Sequence, residues 1–296
     1  VRTERLEGIG TMGEVVGAAF LSHVPTIMLP LETRLELNEG KEISLVPALE
    51  KLRKDKFDTL DYDTVIVFDS HWFTTVEFIV TSHERRVGRY TSGELPRGMS
   101  QVPYDIPGDP QLAHAIAATS AGRDDAWITA IDDECLPIEY PTVNLLGFLQ
   151  RDEAWVSFSC AQTGEYRDFM LTGQLVGDAI RASDRKVFLI ASGAMSHTFH
   201  SLSTLRAHES SDPSHIFSPA ARAMDERILG WWSEGDHHRV LDSYPEFLQH
   251  KPEARFGHYL MMVAALGGAE CTARGVLFSD YENSIGTGQV HVNFEL

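Results

Sequence analysis

The chain has 296 residues, a formal charge of −18 and a pI near 5.1, with 43% apolar and 23% charged residues. Length and composition fit one large α/β domain, or two small ones, with a true hydrophobic core. The acidic balance argues against nucleic acid or an anionic membrane as partners, and it repels anionic small molecules at long range unless local cations oppose it.

Residues 1–11 are polar and precede Met12; they read as a disordered extension or tag remnant, with one functional domain over 12–296. An apolar run at 15–21 predicts a buried strand that ends in Ser22-His23. Apolar spacing of three to four predicts a helix over 44–53, and a second buried strand over 64–69 runs into Ser70-His71-Trp72. A strand over 76–81 follows, and Pro110 opens a helix over 111–119. Further on lie a strand at 155–159, a helix at 169–182 and a strand at 186–191 that leads into Ser192-Gly193-Ala194-Met195-Ser196-His197. Helices over 220–234 and 255–266 come next, the last closed by Gly267-Gly268, and the alternating stretch 290–294 predicts an edge strand. Strands alternating with helices predict a single α/β domain whose mixed central sheet is covered by helices on both faces. Active sites of such sheets gather where strands give way to loops. Three predicted strands each lead into a histidine, which sets three imidazoles at one rim.

Cys135, Cys160 and Cys271 are widely spaced with no CxxC pair, so they are expected to be buried reduced thiols rather than a disulfide framework or zinc site. No apolar run is long enough to span a bilayer and no signal-like segment opens the chain, which suggests a cytoplasmic protein.

There are thirteen histidines. His83, His114, His208, His215, His237 and His238 stand among polar residues and are expected at the surface, solvated. His23 and His71 follow apolar strands, where a histidine either pairs with nearby backbone or ligates a metal. One carboxylate added to two imidazoles completes a facial set that leaves open positions on Fe(II). Which of the 43 acidic residues supplies it is open at this point. The HExxH, GxGxxG, GxxxxGK[ST] and GxSxG signatures are absent. The turn Ser284-Ile285-Gly286-Thr287-Gly288 is not a dinucleotide motif.

Several segments together resemble the class III extradiol ring-cleavage dioxygenases, the family of the protocatechuate 4,5-dioxygenase catalytic chain, with the branch acting on 3,4-dihydroxyphenylacetate the nearest. They are SHVPTIML at 22–29, DTVIVFDSHW at 63–72, YTSGELP at 90–96, ASGAMSH at 191–197, MDERILGWWSEG at 224–235 and SIGTGQVHVNF at 284–294. Residues 31–40 and about 121–155 carry less of the likeness. The resemblance implies Fe(II) held by His23, His71 and Glu253, with Glu246 as the alternative carboxylate, and His197 as acid/base. It places Tyr140, and further His200 and His258, near the substrate, with Arg255 or His258 reading a ring substituent. It implies a small aromatic diol and O₂ as substrates, a muconic semialdehyde as product, no organic cofactor and a homodimer or larger homo-oligomer. The rivals are a sister ring-cleaver acting on aminophenols, protocatechuate or gallate-type rings or dihydroxyphenylpropionate, a non-catalytic partner subunit, and a zinc hydrolase.

Overall fold

The apolar runs of the sequence become the centre of one sheet. The computed structural model describes residues 12–296, so the expectation for residues 1–11 lies outside the described residues. The strands are β1 (Glu14–Leu21), β2 (Thr64–Thr74), β3 (Phe78–Thr81), β4 (Arg85–Tyr90), β5 (Val102–Pro107), β6 (Ile128–Ile131), β7 (Ala154–Ala161), β8 (Lys186–Ser192), β9 (Arg274–Leu277), β10 (Glu282–Ser284), β11 (Thr287–Gln289) and β12 (His291–Glu295). Eight of them form a sheet in the order β6-β3-β7-β2-β8-β1-β12-β9. The central four, β7, β2, β8 and β1, run parallel. β3 joins β7, and β12 joins β1, antiparallel. The sheet is therefore mixed, as expected.

The helices are α1 (Leu31–Leu37), α2 (Leu45–Leu52), α3 (Pro110–Ala118), α4 (Tyr140–Leu149), α5 (Tyr166–Ala182), α6 (Pro219–Glu234), α7 (His237–Asp242), α8 (Tyr244–Phe247) and α9 (Gly257–Ala265). Successive strand side chains point to opposite faces. Val65 and Val67 accordingly pack with Leu49 of α2 and Leu146 of α4, while Ile66 and Phe68 share the other cluster with Val176 of α5, Ile228 of α6 and Met262 of α9. Helices thus cover both faces. α5 and α9 approach so closely that a Cβ at Gly177 would lie 2.7 Å from the Ala265 carbonyl oxygen. Among the described residues no helix is long and apolar enough to cross a membrane.

The structure corrects several local expectations. The stretch 290–294 is not an edge strand: β12 lies between β1 and β9, and its first four residues are buried. β2 continues to Thr74, so His71 lies within a strand rather than in a loop. The last helix starts at Gly257, because Ala254, Arg255 and Phe256 have φ of 47°, 55° and 63°, a left-handed turn that a right-handed helix cannot include. α4 is almost wholly buried, so it lacks the one-sided apolar spacing that reveals surface helices. His83 and His237 are buried rather than solvated. The His237 ring sits 2.7 Å from the Tyr259 hydroxyl and 2.8 Å from the Ala273 carbonyl, a pairing that polar neighbours in sequence do not reveal. Cys160 and Cys271 are buried, whereas Cys135 is exposed.

Candidate metal centre

β2, β8 and β1 are adjacent and parallel, so their C-terminal ends share one rim. His23 lies two residues beyond β1, and His197 lies five beyond β8. His71 reaches the same rim through a local irregularity. The register of β2 against β7 breaks between Phe68 and Phe73. There the buried Asp69 carboxylate accepts the backbone N–H groups of His71 at 3.0 Å and Trp72 at 2.8 Å, and Thr142 donates to its other oxygen at 3.1 Å. Burial pushes the Asp69 carboxyl up to about 7, against the pull of those two amides.

Glu253 comes from far along the chain. Its segment pairs with the loop after β8: Ser196 bridges Pro252, Glu253 donates its N–H to the Met195 carbonyl at 3.2 Å, and His197 donates to Lys251 at 3.1 Å. The left-handed turn at Ala254–Phe256 then swings the chain into α9. Three consecutive residues other than glycine in this conformation cost on the order of 1–2 kcal/mol each, and such backbone persists only where its surroundings hold it. The result is a carboxylate fixed under the rim, with the Ala194 N–H donating to Oε2.

Glu253 Oε1 lies 2.6 Å from His71 Nε2, 3.6 Å from His23 Nε2 and 3.6 Å from His197 Nε2. His23, His71 and Glu253 each offer a donor atom within 4.8 Å of the others, and among the described residues this is the one cluster of that kind. Burial works against ionising Glu253, but the three imidazoles outweigh it and hold its carboxyl well below the usual range. Burial lowers His23, which favours the neutral ring. Burial opposes charge on His71 too, yet Glu253 and Glu94 raise it to about 10. Two imidazoles and an ionised buried carboxylate whose Oε1 faces the ring nitrogens of His23 and His71 suit a divalent ion.

Ser192 decides which nitrogen of His23 faces the centre. Its hydroxyl donates to the Pro141 carbonyl at 2.9 Å, leaving its oxygen to accept from His23 Nδ1 at 3.1 Å. The proton thus sits on Nδ1 and the Nε2 lone pair points inward. Asn144 fixes the backbone beneath by donating to the His23 carbonyl at 2.7 Å. On the other side, the Tyr140 hydroxyl stands 2.7 Å from His71 Nε2 and 3.3 Å from Glu94 Oε2, and Glu94 Oε1 is 3.5 Å from His71 Nδ1.

The centre opens into a cavity of about 420 Å³ lined by His23, His71, Tyr140, His197 and Glu253. Its outer walls include Val24, Leu29, Leu37, Phe199 and Ile285. The remaining candidates lie elsewhere. Glu246 is on the surface, paired with Arg227 at 2.7 Å. His200 does not line the cavity; it donates through Nε2 to the His215 carbonyl at 2.8 Å and stacks on His208. His258 is wholly buried behind the site against Phe20 and Phe256, and burial lowers it to about 3. Its ring takes the space that any side chain at position 193 would need, which is why glycine stands there. Arg255 is exposed. The turn at 284–288 serves the site as wall: Ser284, Ile285 and Thr287 line the cavity. Sequence reasoning missed Ser192, Asp69 and Glu94 as parts of the site. Ser192 and Asp69 stand in the strand-to-histidine segments and Glu94 in YTSGELP, but their roles depend on contacts between distant segments.

Residues 17–294 match the family model described as the catalytic LigB subunit of aromatic ring-opening dioxygenase. A 3,4-dihydroxyphenylacetate 2,3-dioxygenase of Escherichia coli is 28% identical over 263 residues, covering 86% of this chain and 91% of that protein. A crystal structure of an uncharacterized protein from Escherichia coli K12 superposes with a TM-score of 0.61 at 21% identity, covering 94% of this chain and 98% of that one, a likeness of fold.

Proposed function

Because the chain belongs to the family of catalytic LigB subunits of aromatic ring-opening dioxygenases, and is an extradiol ring-cleavage enzyme by that membership, we propose that it uses Fe(II) and O₂ to open a catechol beside its diol, giving a muconic semialdehyde. The observation that carries the reading is the convergence of His23, His71 and Glu253 at the floor of an apolar-walled cavity. Two neutral nitrogens and one carboxylate leave a ferrous ion with positive charge and free positions. When bound, that ion supplies the meeting place of diol and O₂ and lowers the cost of ionising the diol.

The chain's own groups do the rest. Ser192 keeps the His23 Nε2 lone pair turned inward. The Ala194 N–H and the paired backbone at Met195 hold Glu253 in place. His197 Nε2 lies 3.6 Å from Glu253 Oε1, and its ring packs nearly perpendicular to that of Phe199. Its Nε2 takes a proton from a diol hydroxyl and returns one to the oxygenated substrate. The Tyr140 hydroxyl, beside His71, orients the substrate oxygens. Both oxygen atoms of O₂ end in the product, so no nicotinamide, flavin or haem is required.

The reading stops at the catechol. 3,4-Dihydroxyphenylacetate is the first candidate by sequence likeness, but Arg255 and His258, expected to read its acetate, lie away from the cavity. The test is turnover under air of the Fe(II)-loaded protein with a set of catechols, followed by the yellow of the ring-opened product. The expected result is colour that needs both iron and O₂. Absence of ring opening with every diol, or turnover that persists without O₂, refutes the proposal.

A further inference from the structure

The ring substituent is the part of the substrate that a metal does not hold, so the walls beyond the centre decide what it can be. Among the described residues no lysine or arginine lines the cavity. Arg34 sits on α1 between the lining residues Leu29 and Leu37, yet it is committed elsewhere: it binds Glu42 at 2.7 Å and the Leu29 carbonyl at 2.5 Å. Two carboxylates stand in the wall in addition to Glu253. Glu94 lies beside His71 and Tyr140, and Glu209 pairs with no cation among the described residues. The apolar part of the wall is Val24, Leu29, Leu37, Leu95, Phe199 and Ile285, and its neutral polar groups come from Thr26, Ser284, Thr287 and Gln289.

Resting on the ring-cleavage reading above, the geometry points to a catechol whose ring substituent carries no negative charge, an uncharged alkyl or aryl group being the fit for these walls. The charge sum supports this. A divalent ion would be offset by Glu253 and a singly ionised diol, which leaves the proton taken up by His197 as the one positive charge in the cavity, set against the carboxylates of Glu94 and Glu209. A carboxylate on the substituent loses water on entry, meets no lysine or arginine in the wall and faces the carboxylates of Glu94 and Glu209. Unpaired charge of this kind is how a site rejects one ligand while accepting its isostere. The overall charge of −18 acts in the same direction from outside. An uncharged substituent pays none of these costs and covers the apolar wall.

The experiment compares two probes that differ almost only in charge, 3,4-dihydroxyphenylacetate and its methyl ester, with 4-ethylcatechol as an uncharged reference. Dissociation constants are measured on the Fe(II)-loaded protein without O₂ by titration calorimetry, and kcat/KM is then measured under air. We expect the ester and 4-ethylcatechol to exceed the acid at least tenfold in kcat/KM and to bind more tightly without O₂. The gap between ester and acid should shrink in Glu209→Gln and at high ionic strength. An acid that binds and turns over as well as its ester overturns this inference while leaving the ring-cleavage reading intact; inertness toward all three overturns this inference, and inertness toward every catechol overturns that reading as well. The ester-to-acid ratio of the unmodified protein carries the test whether or not the variant folds.

Discussion

Replacing Ser192 with alanine probes the centre without touching a proposed ligand. The Ser192 hydroxyl is fully buried and links His23 Nδ1 to the Pro141 carbonyl at 3.1 and 2.9 Å. Without it, the His23 Nδ1–H is left buried with no acceptor. Such an orphan costs about 1–3 kcal/mol in stability. The ring also loses what fixes its proton on Nδ1, so the tautomer with Nε2 protonated, useless to a metal, becomes competitive. Loss of a group that orients a metal-bound histidine weakens metal binding roughly 10–100-fold, or about 1.4–2.7 kcal/mol. Chelator competition under anaerobic conditions measures the affinity for Fe(II), and urea unfolding of the metal-free protein measures the stability. Affinity within about twofold of the unmodified protein would show that Ser192 does not set the His23 tautomer.

Two further outcomes separate other parts of the site. His197→Ala should retain Fe(II), measured by metal analysis, while turnover falls roughly 10²–10⁴-fold, the usual worth of a positioned acid/base; full activity would remove His197 from that role. Asp225 gives a pH prediction. It is buried beside the loop that carries His197, accepting from Ser196 Oγ and Tyr281 Oη, both at 2.6 Å. Burial raises its carboxyl to about 7, against those hydrogen bonds. A carboxyl that titrates higher in the folded than in the unfolded chain favours folding when protonated. Its contribution is full below about pH 4 and is lost as pH rises through about 7. Relative to Asp225→Asn, the stability of the unmodified protein should therefore fall between about pH 4 and 7, by at most about 1.4 kcal/mol per pH unit. Urea midpoints across that range check it, and a pH-independent difference would mean that Asp225 does not titrate there.

The sequence by itself determined the strands of the parallel centre, because runs such as Val65-Ile66-Val67-Phe68 bury both faces and read as apolar without interruption. It also placed His23, His71 and His197 after those runs, and segment likeness put Glu253 first with Glu246 as the alternative. Tertiary structure alone decided the rest, because each remaining fact depends on chain segments far apart in sequence. The strand order sets β2, β8 and β1 side by side and so brings the three histidines to one rim. The pairing of 251–253 with 195–197, followed by a left-handed turn, selects Glu253 over Glu246 for that rim, although local pattern predicts a plain helix at Arg255. His200 and His258 stand in promising company along the chain, yet a backbone carbonyl and a buried aromatic pocket claim them. Periodicity reports which face of an element is buried, whereas a cavity is lined by what several elements leave uncovered, and no single stretch of sequence records that.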